Sequence, residues 1–261
     1  MFHCRYILFA VIFLLAACTT GKSPTLGESV TLSPGWSSLK QSANEAVSDP
    51  NVWASLLAAA VLQVSDLDQE ISDQLRQHNP LFGSSERAND RSNDFRSLTT
   101  AAYVSTAILV PGPEEKWWST KAKLLGSEWL ALQATGSITS GLKSLTNRQR
   151  PNNLDDKSFP SGHTSRATIE AQMANLNVNH LTVDTSTKRN LRWTFNGLAV
   201  MTGWARVEAG MHFPSDVLSS WALGSFMAHM AQSFIVPDQS KFQIYSQPVS
   251  DGMLLQIVTR F

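Results

Sequence analysis

From Asp49 to about residue 235 the apolar residues recur at intervals of three and four, the spacing that gathers them on one face of an α-helix. The first such stretch opens at Asp49-Pro50, a capping side chain followed by the ring suited to a first helical position, and carries Val52, Leu56, Ala59, Ala60 and Val64. Further helices are predicted over about 66–78, 95–110, 114–145, 161–180, 187–207 and 214–235. Asn79-Pro80, Pro111-Gly112-Pro113, Arg150-Pro151-Asn152-Asn153 and Phe213-Pro214 break the pattern between them. Both ends differ. From Thr19 to about Lys40 the chain is rich in Ser, Thr, Gly and Pro without periodicity, and reads as a tether. Lys241–Tyr245 and Leu255–Thr259 alternate apolar and polar residues around Pro248 to Gly252, the pattern of a terminal hairpin. A lone hairpin is marginal, so it is expected to pack on the helices. The prediction is an all-α helical bundle with a small C-terminal β-hairpin.

Ahead of the tether, Arg5 and Tyr6 precede an unbroken apolar run, Ile7 to Ala17, that closes on Leu15-Ala16-Ala17-Cys18. A basic start, a short apolar stretch and a small-residue cleavage site make an export signal. Its eleven apolar residues fall short of the roughly 20 a spanning helix needs. The longest later run, Leu56 to Leu62, has seven, so no membrane-spanning helix is predicted downstream. Cys18 directly after Leu-Ala-Ala resembles the lipobox of bacterial lipoproteins, which implies cleavage before Cys18 and its lipidation. An ordinary secretory signal with an incidental cysteine is the alternative. Thr19 stands where inner-membrane lipoproteins of Gram-negative bacteria tend to carry Asp. That resemblance implies a lipid anchor in the outer membrane, facing the periplasm. The expected organisation is a signal at 1–17, a tether at 18–48, a helical domain at 49–236 and a hairpin extension at 237–261.

Composition narrows the function. The 261 residues carry 21 Lys+Arg against 21 Asp+Glu, a net charge of zero without a basic block, which excludes a nucleic-acid partner. With 43% hydrophobic residues, eight Trp and twelve Phe, the chain can bury a core and is not disordered. Cys4 and Cys18 are the two cysteines, so the body makes no internal disulfide and no thiolate metal cluster. Asp66, Asp68, Glu70 and Asp73 lack the Gly turn of a calcium loop and read as a solvated helix face. His78, His180 and His229 stand apart from other polar chemistry and read as surface or packed residues.

Three segments gather cations and imidazoles in an otherwise lightly charged chain: Lys143 with Arg150-Pro151, then Phe159-Pro160-Ser161-Gly162-His163-Thr164, then Arg206 through His212 to Asp216. The set suits a tetrahedral oxyanion. Lys143, Arg150 and Arg206 neutralise charge, arginine through a fixed fork of donors. Ser161 and Gly162, at the start of a predicted helix, add backbone N–H groups and the positive end of a dipole. Two histidines can divide phosphoryl transfer between nucleophile and acid. Asp216, four residues after His212, is placed to hold one ring nitrogen and leave the other as nucleophile.

Lys143 with Arg150-Pro151, Pro160-Ser161-Gly162-His163, and Arg206, His212 and Asp216, in this order and spacing, resemble the three-part signature of the phosphatidic acid phosphatase type 2 superfamily. That superfamily includes bacterial class A acid phosphatases, membrane lipid phosphatases and vanadium haloperoxidases. The resemblance implies a helical bundle with its site at one end. It implies that His212 becomes phosphorylated, that His163 serves as acid and then as base, and that Lys143, Arg150, Ser161, Gly162 and Arg206 hold phosphate. It implies neither metal nor other cofactor, and vanadate as inhibitor. Ala205 departs from the pattern, which usually has Ser there; the lost hydroxyl is worth about 0.5–1.5 kcal/mol of hydrogen bonding. The expected activity is hydrolysis of phosphomonoesters, soluble or lipid-headgroup, in the cell envelope. Lipid phosphates such as phosphatidate or isoprenyl pyrophosphate come second, followed by haloperoxidase chemistry and by phosphate binding without turnover.

Overall fold

The computed structural model describes residues 26–27, 30–31 and 33–235, and the backbone of 242–249 and 252–259. The expected signal at 1–17 and Cys18 lie outside the described residues. Eight α-helices occur among the described residues: α1 (Trp36–Ser48), α2 (Pro50–Val64), α3 (Leu67–His78), α4 (Ser85–Leu109), α5 (Trp117–Thr146), α6 (Gly162–Asn179), α7 (Thr185–Glu208) and α8 (Pro214–Ile235). A 3-10 turn, Glu114–Lys116, leads into α5. Two strands, β1 (Phe242–Val249) and β2 (Gly252–Thr259), pair antiparallel with Phe242 opposite Thr259 and Val249 opposite Gly252.

Local chemistry sets the boundaries. Asp49 Oδ1 accepts from Asn51 N at 2.8 Å and Pro50 takes the first position of α2. Ser84, Ser161 and Asp184 cap α4, α6 and α7 with side-chain oxygens. Asn79 and Asn147 stop α3 and α5 in the left-handed region, at φ 45° and 44°.

Two stretches are more helical than their apolar pattern predicts. α1 fills the last thirteen residues of the expected tether. The face it buries is Ser38, Ser42 and Ala46, a stripe at four-residue spacing that holds one small apolar residue among hydroxyls, and it packs on α8. α4 begins at Ser85, ten residues before the predicted start. Its opening, SERANDRSND, is polar because of what it faces, as described below.

α6 is the centre of the bundle, with α4, α5, α7 and α8 around it. Eleven of its eighteen residues are buried, most of them Ala, Ser or Thr, so the neighbouring helices approach closely. At Gly224 of α8 a Cβ would lie 2.7 Å from both the Ser165 oxygen and Thr168 Cβ. That close approach seats the middle of α8 on the first two turns of α6, next to the end where the polar groups collect.

Candidate phosphate-binding active site

The end of α7 turns the chain through a Schellman motif. Gly210 N donates to Val207 O at 2.8 Å and Met211 N to Arg206 O at 3.0 Å, with Gly210 at φ 65°. This turn fixes the spacing between Arg206, on the last turn of α7, and His212 beyond it. α8 then starts at Pro214, and Asp216 in its first turn reaches back to accept from Phe213 N at 2.9 Å. The loop 147–161 is tied to the same turn: Asn152 N donates to Gly210 O at 3.0 Å, and Arg150 Nη1 to Met211 O at 3.2 Å.

His212 is buried, and its Nδ1 lies 2.5 Å from the Ser158 carbonyl oxygen. A carbonyl only accepts, so Nδ1 carries the proton and Nε2 holds the free lone pair. Asp216 Oδ2 is farther, at 3.9 Å. The ring is therefore held by a main-chain oxygen, where sequence reasoning gave that task to Asp216. Asp216 acts one step back. Its Oδ2 accepts from Ser158 Oγ at 2.5 Å and its Oδ1 from Arg148 Nη1 at 2.6 Å. Burial works to raise the Asp216 carboxyl, but His212, Arg148 and Ser158 hold it below the usual carboxylate range. Burial lowers His212 to about 4 against the pull of Asp216, so the imidazole is neutral at pH 7.

Three cations converge beside it. Lys143 Nζ donates to Lys157 O at 2.6 Å, and burial, followed by the charge of Arg150, lowers its amine to about 8. Arg150 Nε pairs with Asp155 at 2.6 Å. Arg206 is only 4% exposed, with Nη1 donating to Asn89 Oδ1 at 2.6 Å and Nε without a partner among the described residues. Burial and the charges of Arg150 and Arg96 lower it to about 10. Like charges are held together here at a cost that an oxyanion among them would offset.

His163 follows Ser161 and Gly162 at the start of α6. Its Nε2 meets Asn93 Oδ1 at 2.9 Å. Burial, then Arg206 and Arg96, lowers it to about 3. The Ser161 hydroxyl is fully buried and accepts from Thr164 Oγ1 at 2.9 Å, so its side chain caps the helix. A Cβ on Gly162 would meet only Thr139 Cγ2, at 3.6 Å, an ordinary contact. What Ser161 and Gly162 have to offer an anion is their position at the helix N-terminus, with its N–H groups and dipole. Ala205, fully buried on α7, leaves no hydroxyl before Arg206.

Several residues of the site escaped sequence reasoning. Asn89, Ser92 and Asn93, on the early part of α4, hold Arg206 and His163. Their i, i+3 and i+4 spacing is a polar stripe on one face, the only signal the sequence carried. Asp68, expected on a solvated face, is 3% exposed. It accepts from Arg148 Nη2 at 2.7 Å and from Ser215 N at 2.8 Å. Arg148 also stacks over the Phe213 ring, 4.1 Å from its centroid. The Asp68–Arg148–Asp216 chain thus locks the loop before α6 to the starts of α3 and α8. Of the histidines read as structural, His229 pairs with Asp49 at 2.8 Å and His78 meets Gln74 O at 2.9 Å.

A helical bundle that gathers two imidazoles, a carboxylate and three cations at one end has the chemistry to accommodate a tetrahedral oxyanion. Comparison with known proteins points the same way. The profile of the PAP2 superfamily matches residues 126–237, which contain all three sequence motifs. Phosphatidylglycerophosphatase B of Bacillus subtilis (strain 168) is 33% identical over 78 residues, covering 30% of this chain and 38% of that relative. The match therefore spans well under half of the relative's length. The crystal structure of a transmembrane PAP2 type phosphatidylglycerolphosphate phosphatase from Bacillus subtilis shares the fold. Its TM-score is 0.53 at 23% identity, over 69% of this chain and 91% of that one. Among the described residues of the present chain, no helix is long and apolar enough to cross a membrane.

Proposed function

We propose that the protein is a phosphatase of the PAP2 superfamily that hydrolyses lipid phosphomonoesters through a phosphohistidine on His212. The observation that carries this reading is the Nδ1 contact of His212 with the Ser158 carbonyl, which leaves Nε2 as an unprotonated nucleophile. Lys143, Arg150 and Arg206, with the start of α6, neutralise the phosphoryl oxygens. Nε2 attacks phosphorus as the ester oxygen leaves, and His163 gives that oxygen a proton. His163 then takes a proton from water, which attacks the phosphohistidine and releases inorganic phosphate and His212. A bound dianion beside the ring raises His163 from its low value, so the proton is present when the leaving group needs it.

The sequence alone put soluble and headgroup phosphates first. The resemblance to a phosphatidylglycerophosphatase moves lipid phosphates ahead, and the motifs lie inside the segment that matches the PAP2 superfamily profile. The reading requires no metal or other cofactor, makes vanadate an inhibitor, and places the enzyme in the cell envelope on a Cys18 lipid anchor. Purified protein in chelator is expected to release phosphate from a short-chain phosphatidate, to lose the activity in His212→Ala, and to be inhibited by vanadate. Undiminished release from His212→Ala would overturn the mechanism.

A further inference from the structure

On α4, Asn93 Oδ1 meets His163 of α6, and seven residues later Thr100 Oγ1 donates to Glu170 Oε2 at 2.8 Å. His163 and Glu170 are likewise seven apart, so the two helices run parallel along this seam. Between the two contacts each helix carries an arginine at the same step: Arg96, three residues after Asn93, and Arg166, three residues after His163.

The two arginines are not equally engaged. Arg166 Nε donates to Glu170 Oε1 at 2.9 Å, and its side chain is 43% exposed, at the rim of the seam. Glu170, fully buried, thus gives one oxygen to Thr100 and the other to Arg166. Arg96 is partly exposed, but its Nε is shielded from solvent and has no partner among the described residues. Its charge bears on both His163 and Arg206, which places the guanidinium towards the candidate site. A shielded N–H of a charged group without an acceptor is costly, and a ligand oxygen would remove that cost.

Lys143, Arg150 and Arg206 already serve the oxygens of the transferred phosphoryl group. Arg96 stands on the His163 side, three residues or about 4.5 Å along α4 from Asn93. His163 hands its proton to the leaving oxygen, so the remainder of the substrate begins beside Arg96.

We propose that Arg96, with Arg166 at the rim, binds a second anionic phosphate on the leaving group and so selects substrates that carry one, joined to the leaving oxygen directly, as in a diphosphate ester, or through a short carbon chain. The proposal rests on the phosphatase reading above. Arginine presents a fixed fork of donors that matches two phosphate oxygens. Hydrogen bonds to a charged partner are worth about tenfold or more in affinity.

The test compares propyl phosphate, propyl diphosphate and propane-1,3-diol bisphosphate on the wild type, Arg96→Gln and Arg96→Lys. The readout is a preference: kcat/KM for a doubly phosphorylated probe over that for propyl phosphate on the same protein. Effects of Arg96 on His163 that all probes share divide out of this ratio. The wild type is expected to favour at least one doubly phosphorylated probe by about tenfold or more, chiefly through KM. Which probe it favours tells a direct linkage from a carbon spacer. Arg96→Gln should bring the preference below about threefold, and Arg96→Lys, which keeps the charge without the fork, should fall between. A wild-type preference below about threefold for both probes, or one that survives intact in Arg96→Gln, would overturn the subsite. If no probe is hydrolysed, the phosphatase reading fails, and calorimetric binding of the same three compounds decides the subsite separately. Binding of a doubly phosphorylated probe about tenfold tighter than propyl phosphate, lost in Arg96→Gln, sustains it, whereas equal binding, or none, overturns it.

Discussion

Nδ1 of His212 lies 2.5 Å from the Ser158 main-chain oxygen and 3.9 Å from Oδ2 of Asp216. The carbonyl alone suffices to fix the tautomer, while the carboxylate stabilises the ring at longer range and pins Ser158 through its hydroxyl. Where a carboxylate holds the histidine directly, conversion to the amide costs about 10⁴ in kcat because the wrong tautomer forms. Here Asp216→Asn keeps the right tautomer and is expected to lower kcat by about 10²-fold, one electrostatic contribution in a dry site. Steady-state kinetics of Asp216→Asn beside Asp216→Ala checks this. A 10⁴-fold loss in the amide would mean that the carboxylate sets the tautomer.

Arg148 is expected to support the site without binding phosphate. Its guanidinium bridges Asp68 and Asp216, whose carboxylates are 5% and 0% exposed. Arg148→Ala strands both buried charges, a loss of about 3 kcal/mol in stability. Denaturant unfolding should show that loss, while KM for a short phosphomonoester stays within a few-fold of wild type. The double variant with Asp68→Asn should recover part of it, because one stranded charge is gone.

The pH profile of kcat/KM reports groups in the free protein. Lys143, lowered to about 8, is charged below that value and loses its proton above it. The ratio of Lys143→Arg to wild-type activity should therefore rise as pH passes about 8, since the protonation of His163 affects both proteins alike. On the acid side His212 must be neutral, so activity falls only as pH drops towards about 4. A decline already complete at pH 6 would contradict the burial of this ring.

Glu128 is fully buried in the core, and burial raises its carboxyl to about 8 despite Lys121 nearby. A carboxyl raised by folding binds more protons in the native than in the unfolded state, so its contribution is retained in acid and lost as pH climbs from about 4.5 to 8. Glu128→Gln removes that loss. Its melting temperature should exceed wild type at pH 8.5, with the gap closing by pH 5.

Much of this architecture was legible in the chain. The breakers at Asn79-Pro80, Pro111-Gly112-Pro113 and Phe213-Pro214 mark real helix ends, because proline geometry and left-handed asparagines act locally. The three motifs also stand at one end of the bundle, with Lys143, Arg150, Arg206 and both histidines acting electrostatically on one another. What stayed hidden depended on partners far away in sequence. Asp68 reads as solvated until Arg148 and Ser215 arrive, and α1 buries serines that no apolar pattern marks. The start of α4 lacks periodicity because it faces Arg206 and His163. The orienting atom on His212 is a backbone oxygen, which every residue has and no sequence singles out.

The most direct test of the account is mass spectrometry of protein quenched in alkali, which preserves phosphohistidine, during turnover of a short-chain phosphatidate. His163→Ala, impaired in hydrolysing the intermediate, is expected to accumulate one phosphoryl group on His212, and the His163→Ala/His212→Ala double variant to accumulate none. A phosphoryl group on another residue, or turnover by wild type with no adduct in His163→Ala, would contradict it.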